Sequence, residues 1–343
     1  MRVASDRAQQ STGPVARSQL RLRDGTQANR QLPLPTSERI ASRMNASGFA
    51  RLLLLSAIWG ASFLFMRIAV PVLGPVWLIF FRVLLAACFL WIVGKWLGRN
   101  LPIAGQWRHF LKLAFFSSTL PFLLFAFAAR DLTASLLSIL NATAPIWAAL
   151  ISAVWFKVQT PSVKWMGMLL GLAGVGWLVG QGPLMTSASM GWALAAGLAA
   201  PFCYGVASNY LRYAPKVGAF ANAHGGMWGA CIFLLPLAGV APMPSEALSL
   251  SVVLSVVLLG VLCSGVAYLI YFRLIDEFGA TSALTVTLLT PAFATLWGAW
   301  FLGEPIGWST LIGGALVLLG TALTTGFDPR TMIGRGTSPD KNT

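Results

Sequence analysis

Charge is the scarcest ingredient of this sequence, and acid is the scarcer half of it. Only 10% of the 343 residues are charged, and ten acids stand against 24 lysines and arginines. A soluble domain carries roughly 25% charged residues. So few charges do not cover the surface of a water-soluble protein of this size, which excludes a single soluble core. Cysteine is also sparse: Cys88, Cys203, Cys231 and Cys263 all lie inside apolar stretches, with no CxxC spacing and only two histidines beside them. A disulfide framework, a structural zinc site and any other metal or cofactor are not expected. The acids Asp131, Glu246, Asp276, Glu277 and Glu304 fall in or beside connections, and none sits in the middle of an apolar stretch.

What is abundant is apolar: 57% of the chain. These residues arrive in blocks of about 20, the length that crosses roughly 30 Å of hydrocarbon as a helix. Ten blocks are predicted, at 52–70, 74–94, 110–129, 133–155, 165–181, 191–211, 219–240, 250–272, 280–302 and 308–326. The fold class expected is an all-α polytopic membrane protein, its connections too short for a soluble catalytic domain.

The net charge of +14 does not point to nucleic acid, because the basic residues form no single stripe. They occupy a polar N-terminal tail and short connections between blocks. Residues 1–50 carry eight arginines before Met44 among Ser, Gln, Thr and Pro and read as a disordered cytoplasmic tail. Met44 is an alternative start, since MNASGFARLLLL opens like an ordinary membrane-protein N-terminus. With the N-terminus in the cytoplasm, the inside connections after Met44 hold Arg51, Lys95, Arg99, Arg108, Lys112, Lys157, Lys164, Arg212, Lys216, Arg273, Arg330, Arg335 and Lys341. The outside ones hold Arg67 and Arg130. The positive-inside rule therefore places both ends, including a C-terminal tail at 327–343, in the cytoplasm.

The chain also repeats itself. A shift of 146 residues lays RDLTASLLSILNATAPIWAALISAVWF over DEFGATSALTVTLLTPAFATLWGAWFL, with Pro145 on Pro291, Asn141 on Thr287 and Asp131 on Glu277. The same shift pairs Gly167 with Gly313, Phe125 with Tyr271 and Ser118 with Ser264. A shift of 145 pairs Trp59-Gly60 with Tyr204-Gly205 and Arg67 with Arg212. Two repeats follow, at 52–181 and 191–326. Five crossings each is an odd number, so ten transmembrane helices would form two inverted five-helix repeats, an architecture recurrent in secondary transporters.

AIWGASFLFMRIA, FFRVLLAA, TASLLSILNATAP and ATSALTVTLLTPAFATLWGAWFLGEP resemble the EamA type of the drug/metabolite transporter superfamily over about 52–326. The resemblance implies a ten-helix carrier with a central cavity that exports small metabolites or toxic analogues. It also implies an acidic motif at the end of the first repeat, where this chain instead reads WFKVQTPS.

The candidate substrate-cavity residues are Trp59, Phe63, Arg82, Ser118, Ser138, Asn141, Tyr204, Asn209, His224, Tyr268, Tyr271 and Thr287. Arg82 lies about 10 Å deep by helix rise. An arginine at such depth costs on the order of 2.5–3.5 kcal/mol and so turns toward protein or a wet cavity. It reads as an anchor for a carboxylate or phosphate, or as a structural arginine capping carbonyls or snorkelling. Asn141 and Thr287 sit one turn before Pro145 and Pro291, which free a backbone carbonyl and mark a helix break or hinge; Ser135, Ser138 and Asn141 share one helical face. The aromatic set suits planar or amphipathic solutes, with lipid-facing filler as the alternative for any one ring. His224 is a hydrogen-bonded neighbour or a proton relay. Gly167, Gly171, Gly174, Gly313, Gly314 and Gly320 read as scaffold or homodimer surfaces.

With no carboxylate at a span centre, lipophilic cations lack a counter-charge, which favours neutral, zwitterionic or anionic solutes. The expectation is a secondary transporter exporting amino-acid-like or nucleoside-like metabolites across a bacterial inner membrane. The alternatives are a multidrug efflux carrier, a channel, a flippase or a nucleotide-sugar transporter. A membrane-embedded enzyme is disfavoured, because His109 belongs to a connection and His224 stands without a catalytic partner.

Overall fold

The computed structural model of the chain describes residues 46–99, 101–103, 105–180, 188–244 and 247–327. The N-terminal tail with Met44, the junction at 181–187 and the C-terminal tail from 328 lie outside the described residues. Within them every element is helical, with no strand. Eight helical runs are long and apolar enough to cross a membrane: Ala46–Trp96, Trp107–Ala128, Ala134–Val154, Ser162–Gly180, Ala188–Leu211, Ala219–Val240, Leu250–Phe278 and Trp308–Thr325. Val286–Leu302 is apolar but shorter.

The interruptions inside these runs have local causes. Helix α1 (Ala46–Trp96) would measure about 76 Å if straight, more than twice the hydrocarbon thickness. It breaks at Gly74, whose φ of 67° lies in the left-handed region, between Pro71 and Pro75. The first two apolar blocks meet at this break. The next run is α2 (Trp107–Ala114), a π-helical segment (Phe115–Thr119) and α3 (Leu120–Ala128). Another π-helical segment, Leu258–Val266, joins helix Leu250–Val257 to helix Ala267–Leu284 and covers the positions 146 residues further on. Each repeat thus carries the same wide turn at the same place, which sequence matching alone did not announce.

The fourth block is two helices, α4 (Ala134–Asn141) and α5 (Ala144–Val154). Thr133 caps the first, its hydroxyl accepting from the Leu136 N–H at 3.2 Å. Pro145 lies in the first turn of α5, and a carbonyl released at the break, that of Ala142, accepts the Thr321 hydroxyl at 2.8 Å. The chain continues through α6 (Ser162–Gly180), α7 (Ala188–Leu211), α8 (Ala219–Val240), α9 (Leu250–Val257), α10 (Ala267–Leu284), α11 (Val286–Leu302) and α12 (Trp308–Thr325). One expected boundary fails. The blocks at 250–272 and 280–302 were to be separated by a connection, yet α10 runs unbroken through Arg273, Asp276 and Glu277. Arg273 donates to Glu277 one turn on at 2.8 Å, an i,i+4 pair that keeps this polar stretch helical. The break falls instead at Thr285. In the second half Pro291 lies inside α11, not at its start.

The helices pack reciprocally. Gly60 of α1 approaches α11 so closely that an added Cβ would stand 2.8 Å from the Ala294 nitrogen. Gly205 of α7 does the same against α5, 2.9 Å from the Ala148 nitrogen. These are corresponding positions of the two repeats, so the opening helix of each repeat packs on the fourth block of the other. The glycine stripes form a separate seam within the chain: Gly167, Gly171 and Gly174 of α6 face Gly313 and Gly320 of α12, and Gly314 faces Ile139. They act as scaffold between two helices of one molecule.

Candidate functional site

Arg82, on the second arm of α1, is buried in the core where both repeats meet. Its Nε donates to the Ser264 hydroxyl at 2.9 Å, and Ser264 in turn donates to the Leu259 carbonyl at 3.0 Å. Nη1 lies 3.8 Å from the Met66 sulfur, and the guanidinium carbon stands 3.7 Å from the centre of the Phe122 ring. Tyr204, Cys263 and Tyr268 lie near it in the same buried region. Every one of these contacts is neutral, and among the described residues Arg82 has no ion pair. The bonds fix the guanidinium plane; stacking on a ring adds roughly 1–2 kcal/mol where water is excluded. Neither contact neutralises the charge. The two π-helical segments supply the setting: one carries Ser264, and the other ends one turn before Phe122.

The aromatic candidates collect around this arginine. Trp59 stands 5.3 Å from Tyr271 and 6.4 Å from Tyr268, centre to centre. Phe63 meets Phe125 edge-on at 5.6 Å, and Phe125 meets Tyr204 at 6.4 Å. The Trp59–Tyr271 and Tyr204–Phe125 pairs are equivalent under the repeat, so one aromatic contact is built twice from opposite halves. Arg82, Trp59, Phe63, Tyr204, Tyr268 and Tyr271 are therefore one cluster. Met66, Phe122, Phe125 and Ser264 belong to it as well. Sequence reasoning missed them as site residues, although the matches of Phe125 to Tyr271 and Ser118 to Ser264 pointed toward two.

The remaining candidates lie elsewhere or are already engaged. Ser138 donates to the Ser135 carbonyl at 2.8 Å, so its hydroxyl serves its own helix. Ser118 is buried in its π-helical segment beside Ser117, at 3.4 Å between hydroxyls. Asn141 closes α4 and is half-buried, and Thr287 lies in the first turn of α11. Asn209 bridges helices, donating to the Ala148 carbonyl at 2.9 Å and the Gly205 carbonyl at 3.0 Å. That places it at the α5–α7 contact, with its Oδ1 buried and without a partner among the described residues. His224 accepts the Trp228 indole N–H at 3.0 Å and lines a different cavity, between α1, α2 and α8.

The acid of the Gly-Glu-Pro sequence is more than a connection charge. Glu304 is buried, and its carboxylate accepts from the Ala134 N–H at 2.9 and 3.1 Å, at the N-terminus of α4. Arg67 Nε donates to it at 3.2 Å, while Arg67 Nη1 donates to the Ala129 carbonyl at 2.9 Å. A carboxylate at a helix N-terminus meets unpaired N–H groups and the positive end of the helix dipole. Gly298 leaves the space for it, since a Cβ there would stand 2.4 Å from Oε2. In the first repeat the matching position is Ser152, whose hydroxyl accepts from Arg212, the counterpart of Arg67, at 2.9 Å. Glu304 itself aligns with Val158, so the first-half acid that the family pattern implied is absent from this position and Arg212 bonds the Ser152 hydroxyl instead. At the opposite end Glu277 joins Arg51 and Arg273 in an exposed trio.

A helical membrane protein of two repeats, interlocked around a buried cation and aromatic cluster, has the organisation of a multi-pass transporter. The EamA-like transporter family model matches residues 46–180 and again 191–326, and the chain belongs to this family. It is 29% identical over 292 residues to an uncharacterized transporter of Archaeoglobus fulgidus, covering 82% of this chain and 98% of that one. It is 27% identical to the uncharacterized transporter YdfC of Bacillus subtilis, over 79% of this chain and 88% of the other. A chloroplastic WAT1-related protein of Arabidopsis thaliana is 25% identical over 76% of the chain and 65% of its own length. A crystal structure at 20% identity superposes with a TM-score of 0.58, covering 81% of this chain and 97% of that one, which shows a shared fold.

Proposed function

We propose that this protein is a secondary transporter of small neutral, zwitterionic or anionic metabolites, amino-acid-like or nucleoside-like, working by alternating access. The observation that carries the reading is Arg82: a buried arginine, oriented by Ser264 and Phe122, with no acidic partner among the described residues. A planar cation held this way pairs with a carboxylate or phosphate through two parallel N–H bonds. Trp59, Tyr204, Tyr268 and Tyr271 would pack the apolar or planar part of the solute.

The transport cycle rests on ten crossings in two inverted repeats. The Gly74 break, which divides the longest helix, and the apolar helix Val286–Leu302 support that number. The reciprocal Gly60 and Gly205 contacts support a two-fold exchange between repeats. With the basic connections inside, the Arg67–Glu304–α4 junction closes the outer end, and export from the cytoplasm is the direction we favour. Pro145 and Pro291 would serve as the flexible points of the two central blocks.

Metabolite profiling of cells with and without the protein, repeated with Arg82→Ala, tests this reading. The expected result is a difference in carboxylate- or phosphate-bearing metabolites that the variant abolishes while still inserting in the membrane. Efficient transport of quaternary ammonium compounds by purified protein in liposomes, with none of carboxylates, would overturn it.

A further inference from the structure

A cavity of about 630 Å³ lies away from the Arg82 cluster, between the end of α1, the start of α2 and the first half of α8. His224, Trp228 and Ile232 follow one another at one-turn spacing along α8 and form its floor, with Trp91 and Lys95 of α1 on one side and Trp107 on the other. The close approach of α2 to α8 depends on two glycines: a Cβ on Gly225 would stand 2.4 Å from the Phe110 ring, and one on Gly229 2.7 Å from the Ala114 Cβ.

Three features give the cavity a chemical character. Its apolar wall continues onto the membrane-facing surface, since Trp91 and Ile232 are more than half exposed. Its mouth carries Lys95 and Arg99, both exposed and neither in an ion pair among the described residues. Arg99 stands 5.8 Å over the Phe220 ring, which holds its charge beside the opening. Third, an indole N–H only donates, so the bond from Trp228 to His224 Nε2 puts the proton of a neutral imidazole on Nδ1. That Nδ1 is buried without a partner among the described residues. An unpaired buried donor on a residue that lines the same cavity as two unpaired cations favours an anionic acceptor.

We propose that this cavity binds an acidic diacyl phospholipid of the adjoining leaflet. The phosphate sits between Lys95 and Arg99, a head-group oxygen approaches the His224 side, and an acyl chain lies along Trp91, Trp228 and Ile232. A soluble anion would gain the two cations but leave the exposed apolar wall uncovered. A zwitterionic lipid would cover the wall but bring its own cation to Lys95 and Arg99. An acidic lipid satisfies both parts, and tryptophans at the mouth match the depth at which indoles prefer the head-group boundary.

Native mass spectrometry of the full-length protein tests this, after release from mixed micelles of phosphatidylglycerol and phosphatidylcholine at equal amounts. The wild type is expected to retain phosphatidylglycerol at least fivefold over phosphatidylcholine. The double variant Lys95→Gln/Arg99→Gln should lose that preference while eluting normally in size exclusion. A control, Lys157→Gln/Lys164→Gln, alters two cations that do not line the cavity and should keep the preference. Glycerol phosphate alone, at millimolar concentration, should leave the protein unliganded. Equal retention of the two lipids, loss of preference in both double variants, or tight binding of glycerol phosphate would each overturn the proposal.

Discussion

Arg82 and Glu304 are the two charges whose surroundings decide most. Arg82 is held by a hydroxyl, a thioether and a ring, so its charge is oriented but not cancelled. Lysine in its place keeps the charge and loses both the planar fork and the ring contact. Arg82→Lys should therefore reduce transport at least tenfold with normal amounts of protein in the membrane, as measured by solute uptake into proteoliposomes. Glu304 instead joins α1, α4 and the connection before α12. Removing one partner of a buried ion pair typically costs about 3–5 kcal/mol, and Arg67 is partly exposed, so Glu304→Gln should cost about 3 kcal/mol. Gly298→Ala should act similarly by displacing the carboxylate. Thermal unfolding in detergent checks both, with a midpoint lowered by several degrees expected for each. Arg82 was legible from its depth in an apolar block. Glu304 was not, because its partners Arg67 and Ala134 are remote in sequence and only folding brings them to it.

Helices register two further consequences. The α6–α12 seam is built from glycines that meet backbone: a Cβ on Gly320 would stand 2.4 Å from the Gly171 nitrogen. Backbone cannot move aside as a flexible side chain can, so Gly320→Val should cost upward of about 3 kcal/mol and reduce the folded yield, read by fluorescence-detected size exclusion. The α4–α5 break is different in kind. Pro145→Ala restores the missing N–H, and the expected outcome is equal or higher thermal stability with slower transport, if the break is where the block bends during the cycle. Two apolar repeats, the glycine stripes and both prolines could be read directly from the sequence, whereas the pairing of the stripes with each other appears only on folding. The continuous α10 could not, because Arg273, Asp276 and Glu277 look like a connection until the Arg273–Glu277 pair shows them to be one helical face. The π-helical segments were equally hidden, since their residues are as apolar as ordinary helix. Ser138 and the Asn209 amide N–H groups are polar in an apolar setting, but backbone carbonyls take up those donors, which sequence spacing does not reveal.

For the molecule as a whole, the repeats are interlocked: α1 packs on α11 and α7 on α5 through matching glycines, and equivalent aromatic pairs flank the arginine. In the transport cycle proposed above such an arrangement would open in two similar ways, and the ends differ in how firmly they are tied. One is held by buried Glu304 at a helix terminus; in the first repeat Val158 stands at the matching position and, among the described residues, Arg212 bonds the Ser152 hydroxyl instead. On the alternating-access reading proposed above, this asymmetry predicts closure at the Glu304 end in the absence of solute. Counterflow in proteoliposomes, using the labelled solute identified by metabolite profiling, tests the alternating-access account most directly. A carrier centred on Arg82 predicts transient accumulation of label against its gradient when unlabelled solute is inside, and no accumulation with Arg82→Ala. Simple equilibration without overshoot in the wild type, or an undiminished overshoot in the variant, would contradict it.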